Sequence, residues 1–245
     1  MSALLQAELM KLRTTRTFVA LVAAALGLSL LVVVLTALLA KKVNEEDVRS
    51  LFTADFTGLF ILLLGVVGMA GEWRHRTITS TILAAPDRLK LLAAKVLSYA
   101  LAGALMSLIV TIIIMLVGTL ILSSRGQPTI GVSELADVLW RNLLVAALLG
   151  ALGVCVGALV RNQIVAVVVV LVLSFVLEPA IMGLVPDVGK FGPTVGAPSG
   201  IVQTQPFGET NNDLLGPALA ALVLLGWVTL LFAAAATLLR QRDLV

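Results

Sequence analysis

Apolar residues follow one another along the chain in six long stretches that contain no charged residue. A helix needs roughly 20 apolar residues to cross about 30 Å of hydrocarbon, and the two shorter stretches, the second and the fifth, reach that length when their flanking turns are included. The pattern therefore predicts an all-α membrane protein with six transmembrane helices in a single domain, residues 1–245. The six stretches are residues 17–40, 56–71, 96–124, 142–160, 162–177 and 214–239.

The composition agrees with a protein that resides in a bilayer. Hydrophobic residues make up 60% of the chain and charged residues 13%, with a mean hydropathy of +1.09. This leaves too little polar surface to cover a water-soluble globule. The first stretch is longer than the core of a secretory signal peptide, which has about 7–15 apolar residues, so we expect it to be a retained helix.

Positive charges divide unequally between the two sets of loops that six crossings create. The N-terminus, residues 72–95, Arg161 and the C-terminal tail hold eleven Lys and Arg residues and four acids, whereas the opposite set holds six and ten. Because Lys and Arg concentrate in cytoplasmic loops, both termini are predicted to be cytoplasmic, in a cell membrane. The net charge of +3 then reflects membrane topology, and no pattern indicates a nucleic-acid partner.

Residues 1–16 precede the first apolar stretch and have a helical pattern of their own. Leu5, Leu9 and Leu12 recur at the i, i+4 and i+7 positions, which is typical of an amphipathic helix lying on the membrane surface. A frayed, basic N-terminus is the alternative. The residues predicted for the interfacial helix are Leu5, Leu9, Lys11, Leu12, Arg13 and Arg16.

The loop of residues 72–95 begins with a carboxylate at an unfavourable position. Glu72 follows the second apolar stretch directly, and the dipole of a helix disfavours a negative charge at its C-terminus by a few tenths of a kcal/mol. We therefore expect a cation to compensate it. Arg74, Arg76 and a cation on another protein are the candidates.

The rest of this loop predicts two helical pieces. Ile78 and Ile82 lie one helical turn apart, and Pro86 with Asp87 fits the first turn of a new helix that leads through Lys95 into the third apolar stretch. The loop is thus expected to form a short helix, a break, and a helix that continues into the membrane.

Residues 178–213 form a long segment between the fifth and sixth predicted helices. It holds five of the eight prolines and six glycines, so it cannot be one regular helix. Residues 179–185 are apolar but too short to cross, which favours a re-entrant or interfacial segment of an ordered external lid. Glu178, beside Pro179, is either a proton or substrate site at an external gate or a solvated carboxylate.

Several classes of chemistry are missing from the sequence. It contains no phosphate-binding Gly-x-x-x-x-Gly-Lys-Ser/Thr loop, no Cys/His cluster with metal spacing and no hydrolase motif. We therefore expect neither an enzyme nor a bound cofactor. The interiors of the six stretches also lack Lys, Arg, Asp and Glu, which argues against an ion-coupled secondary carrier.

Four charged motifs resemble those of the permease subunits of type-2 ATP-binding-cassette (ABC) transporters. Together with six crossings and a broken external segment, they extend the resemblance over essentially the whole chain. The motifs are Glu8-Leu-x-Lys11-Leu-Arg13-Thr-Thr-Arg16, Glu72-x-Arg74-x-x-Thr77-Ile78, Pro86-Asp-Arg followed by Lys95, and Arg240-x-Arg-Asp243.

The resemblance implies the membrane-spanning subunit of an ATP-driven transporter. Such a subunit pairs with a second permease chain, here as a homodimer, and with two copies of a separate ATPase that docks on a cytoplasmic coupling helix and on the turn between the fourth and fifth helices. It implies an exporter of a hydrophobic or amphipathic substrate; an ion-coupled carrier and a non-transporting assembly or regulatory protein remain the alternatives. The coupling residues it assigns are Glu72, Trp73, Arg74, Arg76, Thr77, Ile78, Thr81, Ile82, Arg161 and Asn162.

Overall fold

The computed structural model describes residues 2–39, 45–74, 87–160, 162–204 and 214–241. Within these ranges the regular structure is helical, and none of the described residues forms a strand. A single π-helical turn, Leu173–Leu177, lies between two of the α-helices in the described part of the chain. The helices are α1 (Ser2–Thr14), α2 (Arg16–Leu39), α3 (Glu45–Phe52), α4 (Thr57–Arg74), α5 (Arg88–Ser124), α6 (Val132–Leu159), α7 (Gln163–Val172), α8 (Glu178–Leu184), α9 (Pro186–Gly189), α10 (Gly196–Val202) and α11 (Pro217–Gln241).

Six helical segments are long and apolar enough to cross a membrane. They correspond to α2, to α4 with most of α3, to α5, to α6, to α7 continued into α8, and to α11. The prediction of an all-α membrane protein with six transmembrane helices is therefore confirmed.

The third and fourth crossing helices begin well before their apolar stretches, and the start of α5 beside Asp87 agrees with the helix predicted from Pro86 and Asp87. The apolar pattern starts them at residues 96 and 142, whereas α5 begins at Arg88 and α6 at Val132. Asp87 caps α5 by accepting a hydrogen bond from the Lys90 amide at 3.1 Å. The early turns tolerate charge because their side chains find ionic partners, so a charged residue marked the end of an apolar stretch without marking the end of a helix.

Glycines bring α4 and α6 into backbone contact in the middle of the bundle. A β-carbon at Gly65 would stand 2.9 Å from the Gly150 carbonyl oxygen, and one at Gly157 would stand 2.7 Å from the Val66 carbonyl oxygen. No larger residue fits such a contact without a backbone shift. The glycines of these two helices are thus used for packing inside the subunit.

The chain between α2 and α4 folds back into the bundle. α3 buries Val48 and Phe52 against α2 and α5, and the amide of Phe56 donates to the hydroxyl of Ser29 at 3.0 Å. Ser29 lies near the middle of α2. The start of α4 therefore lies level with the middle of the first crossing helix, deeper than a simple external connection would place it.

The sequence predicts that the fifth crossing ends at Glu178 and Pro179, but in the structure the helix continues past them. It passes through the π-helical turn and continues as α8 to Leu184. Pro179 occupies the first turn of α8, where the missing N–H costs little, and the wider π turn before it absorbs the change in hydrogen bonding. The helix is interrupted at Val185 instead, and the short α9 and α10 follow.

Candidate functional site

Four charged side chains meet at the end of the bundle where α4 stops. Lys95, only 2% exposed, places its Nζ 2.7 Å from Glu8 Oε2 and 2.7 Å from Glu72 Oε1. Lys11 Nζ lies 2.7 Å from Glu8 Oε1 and 3.5 Å from Glu72 Oε1. We call Glu8, Lys11, Glu72 and Lys95 the Glu72 cluster; its formal charges cancel.

The electrostatics of the Glu72 cluster favour the charged forms. Burial alone would raise the pKa of Glu8, but Lys95 and Lys11 outweigh it and hold that pKa below its ordinary value. Burial likewise acts to lower the pKa of Lys11, yet Glu8 and then Glu72 raise it. Removing an ion from water costs several kcal/mol, so these charges are stable here only as a set.

The cluster identifies the cation that compensates Glu72. It is Lys95, with Lys11 farther away; the Arg74 side chain is exposed, and Arg76 lies outside the described residues. Lys95 directly precedes the third apolar stretch, residues 96–124, and is buried near the start of α5. Because Glu8 and Glu72 on neighbouring helices pair with Lys95, the fold buries a charge that hydropathy alone would place at a membrane surface.

The N-terminal helix is part of the bundle. Leu12 is buried and Leu5 and Leu9 are half-buried, while Glu8, on the same side of α1, forms the ion pair with α5. Arg16 is exposed at the start of α2, and the Arg13 side chain lies outside what the structure describes. The leucine periodicity therefore located the packed face correctly but did not indicate that a carboxylate belongs to it.

The remaining coupling residues divide into a described surface and a part outside it. Trp73 is half-buried against the core. Asn162 caps α7, accepting from the amides of Ile164 at 3.0 Å and Val165 at 3.3 Å. Arg74 and Asn162 line one open depression of about 420 Å³, so the two predicted contact regions adjoin. Outside the described residues lie Arg76, Thr77, Ile78, Thr81, Ile82 and Arg161.

A second polar group lies at the opposite end of α4. Oδ1 of Asp55 accepts hydrogen bonds from the amide of Thr57 at 2.8 Å and from its hydroxyl. Oδ2 accepts from the hydroxyls of Ser107 at 2.6 Å and Thr111 at 2.9 Å. The amide of Asn142 donates to the Thr111 hydroxyl at 3.3 Å. We call these five residues the Asp55 cluster.

The carboxylate of Glu178 is buried and bonded to backbone. It is 3% exposed; Oε1 accepts from the amide and hydroxyl of Thr194 at 2.9 and 2.7 Å. Oε2 accepts from the amides of Val195 at 2.7 Å and Gly196 at 3.2 Å. The solvated interpretation of Glu178 is therefore wrong. Its carboxylate holds the loop that enters α10, while its role in a gate stays a prediction.

Two cavities lie on either side of this loop. One, of about 260 Å³, is lined by Asp55 and Asn142, with apolar side chains of α4 and α6. The other, of about 430 Å³, is almost entirely apolar and includes Trp227 of α11 in its lining. Thr194 lines both cavities, so the loop that Glu178 holds forms a shared wall.

Residues 4–177 match the family model of ABC-2 family transporter proteins. The chain belongs to this family. The match begins in α1 and ends at the π-helical turn, and it includes every member of the Glu72 and Asp55 clusters. No individual curated protein matches the chain. The family makes this chain the membrane component of an ABC transporter.

Two buried polar groups of this ABC-2 protein are not evident from the sequence. The sequence places Lys95 at the membrane entry of the third helix, and Asp55 lies directly before the second apolar stretch, so the burial of neither side chain is evident from the pattern. A usable signal was present in α5, where Lys95, Ser98 and Tyr99 and, farther on, Ser107 and Thr111 place polar side chains one helical turn apart. Polar residues repeated along one face of a membrane helix indicate contact with the bundle interior.

Proposed function

We propose that this ABC-2 protein is the membrane-spanning subunit of an ATP-driven exporter of hydrophobic or amphipathic compounds. It acts as a homodimer with two separate ATPase subunits that hydrolyse the ATP. Both termini and the loop of residues 72–95 face the cytoplasm, where the ATPase is. The ATPase supplies the energy, and the permease supplies the path.

The observation that carries this proposal is the ion pair between the two ends of the loop of residues 72–95. Glu72 lies near the end of α4, and Lys95 lies near the start of α5. Their 2.7 Å ion pair closes the base of the loop between the two helices. Glu8 adds α1 to the same base. A force applied to the loop therefore reaches α1, α4 and α5 together, which supports a role in transmitting motion.

The surface beside this base supports ATPase docking. The depression that Arg74 and Asn162 share presents Ile164, which is 64% exposed, beside polar groups. An exposed apolar residue with an adjacent cation suits a protein partner, since interface cores combine apolar contact with a few charged anchors. We assign the docking surface to this depression and to residues 75–86, which follow Arg74 in the sequence.

The test is co-purification of the ATPase with the permease from its native membrane in mild detergent. The wild-type chain is expected to retain an ATPase in stoichiometric amount, identified by mass spectrometry and assayed for ATP hydrolysis. An Arg74→Glu, Ile164→Asp double variant is expected to lose it. A permease that forms oligomers without any ATPase would contradict the proposal.

Coupling is tested separately with Glu72→Gln, which keeps the shape of the side chain. We expect the complex to assemble and hydrolyse ATP while transport falls, because Lys95 loses one of its two carboxylate partners at the loop base. Asp87→Asn is the matched control, since Asp87 belongs to the same loop, is exposed and pairs with the nearby Lys90. Transport at the wild-type rate by the Glu72 variant would remove the coupling role.

A further inference from the structure

The carboxylate of Asp55 lies deep in the bundle, halfway along two of the crossing helices. Its donors Ser107 and Thr111 are near the middle of α5, and the adjoining Phe56 is bonded to Ser29 near the middle of α2. An ionisable group at such a depth is costly, and in membrane proteins it marks a site by default.

The groups around Asp55 satisfy its hydrogen bonds, and those that the structure describes include no cation. Each carboxylate oxygen accepts two hydrogen bonds, all from an amide or hydroxyls. Among the residues that the structure describes, no Lys, Arg or His nitrogen lies within 4.0 Å of it. Arg49 and Arg141, the second of which adjoins Asn142 of the Asp55 cluster, pair with Asp137 instead.

A cavity of about 260 Å³ opens beside this carboxylate. Its wall combines Asp55 and Asn142 with apolar side chains, including Phe56 and Leu149. The wall is also built from α10, which is fixed from two sides: Arg141 Nη1 donates to the Ile201 carbonyl at 2.9 Å, and the hydroxyls of Thr53 and Thr204 meet at 2.7 Å.

These features select the chemistry of a ligand. The lone pairs of Asp55 already accept hydrogen bonds, so the cavity needs no further hydrogen-bond donor. What it lacks is a positive charge beside the carboxylate. The aromatic ring of Phe56 suits a cation with delocalised or alkylated charge, and the apolar wall suits a hydrocarbon body. A quaternary ammonium group on a small aromatic or branched hydrocarbon meets each requirement and fits the volume.

We propose that the cavity beside Asp55 binds small organic cations with an apolar body, and that such cations are the substrates of this transporter. The statement about substrates rests on the proposed function, whereas the binding site stands on the geometry of the cavity. The Asp55 carboxylate supplies the charge contact, and the side chains of α4 and α6 contact the hydrocarbon.

The test is saturable binding of radiolabelled benzyltrimethylammonium to the full-length protein in lipid nanodiscs. Neopentylbenzene, in which carbon replaces the charged nitrogen, serves as the neutral competitor of nearly the same shape. We expect the wild-type protein to bind the cation and the neutral compound to compete at least about tenfold more weakly, which corresponds to about 1.4 kcal/mol. Equal competition, or no saturable binding by the wild type, would overturn the proposal.

Two variants and a control locate the site. Asp55→Asn is expected to weaken binding by about tenfold or more, and Val202→Phe, which adds bulk from α10 without touching the Asp55 hydrogen bonds, is expected to abolish it. Asp187→Asn is the control: Asp187 is an exposed carboxylate in α9, in the same segment between the fifth and sixth crossings as Val202, and it does not line the cavity. This variant should bind the cation as the wild type does. Val202→Phe keeps the test valid if the Asp55 variant does not fold; wild-type affinity in Val202→Phe would exclude this cavity.

Failure of this inference and failure of the proposed function give different results. Cation binding that depends on Asp55 without any co-purifying ATPase would retain the site and reject the transporter. An ATPase that co-purifies and is lost on changing Arg74 and Ile164, with no binding of the cation, would retain the transporter and reject the substrate class.

Discussion

The two ends of α4 bury carboxylates in opposite ways. At one end Glu72 shares two lysines with Glu8, and the charges of the group cancel. About 25 Å away along the helix, Asp55 is held by an amide and hydroxyls, with no described cation in contact. The first arrangement satisfies every charge from within the chain, whereas the second leaves one charge to be matched.

This difference separates a structural ion cluster from a ligand site. Removing Lys95 from the neutral buried cluster leaves two carboxylates that share only the half-exposed Lys11, which is strongly destabilising. Removing the charge from a carboxylate that has only neutral donors also removes a desolvation cost, so little stability is lost. Stability should therefore depend on the Glu72 cluster, and ligand binding on Asp55.

The largest effect is expected for Lys95→Met. The variant leaves Glu8 and Glu72 facing one another with only the half-exposed Lys11, and loss of one member of a buried ion cluster costs about 3–5 kcal/mol. A thermal unfolding scan in detergent should show a much lower midpoint. Lys90→Met is the control, because Lys90 lies in the same helix but is exposed; an equal fall in both variants would contradict the structural role of the cluster.

A smaller effect is expected for Gly192→Ala, which tests the buried carboxylate of Glu178. A β-carbon at Gly192 would stand 2.7 Å from the Glu178 carboxyl carbon, so the loop that Glu178 holds must shift. Overpacking of this kind costs about 1–3 kcal/mol. The same unfolding scan measures it.

The control for Gly192→Ala is Gly226→Ala in α11, where a β-carbon would meet nothing within 4 Å. Alanine is the better helix former, so Gly226→Ala is expected to leave the midpoint unchanged or raise it slightly. If Gly192→Ala also leaves the midpoint unchanged, the contact between Glu178 and residues 194–196 does not fix the loop.

The sequence predicted the transmembrane helices well because their signal is local. A run of apolar residues reports a crossing wherever it occurs, so six helices followed from hydropathy alone. The spacing of Leu5, Leu9 and Leu12 also placed α1 on an apolar surface. Both signals depend on residues close together in the chain.

The clusters could not be predicted in the same way because their members are distant in sequence. Glu8 and Lys95 are 87 positions apart and Asp55 and Ser107 are 52 apart, and a single sequence gives no register between those helices. A charged residue therefore indicated the end of an apolar run, although its partner on another helix kept it buried. Pro179 was misjudged for a related reason, since the π-helical turn that accommodates it has no signal in the pattern.

The acid dependence of α1 docking sharpens the comparison further. The pKa of Glu8 lies below 4.5 in the folded protein, so its contribution to docking is complete above about pH 5 and is lost as the pH falls through the lowered value. The raised pKa of Lys11 sets the opposite limit: its contribution is complete below pH 10.5 and is lost as the pH rises through the folded-state value.

The mobility of a nitroxide reports this docking when it is attached at Ala7→Cys, an exposed position of α1. Cys155→Ala removes the native cysteine, so that the label reacts at position 7. Mobility should stay constant between about pH 5 and pH 10 and increase below that range. Glu8→Gln should remove the acid transition. An acid transition of unchanged midpoint in Glu8→Gln would assign the effect to another carboxylate.

The smallest effect on stability is expected for Asp55→Asn. The amide keeps the shape of the side chain, and loss of charge-assisted hydrogen bonds is offset by the lower cost of burying a neutral group. We expect a change of about 1 kcal/mol or less in the free energy of unfolding, measured beside Lys95→Met under the same conditions. If the two variants are equally unstable, Asp55 is paired with a cation within the folded chain, and its charge is not available to a ligand.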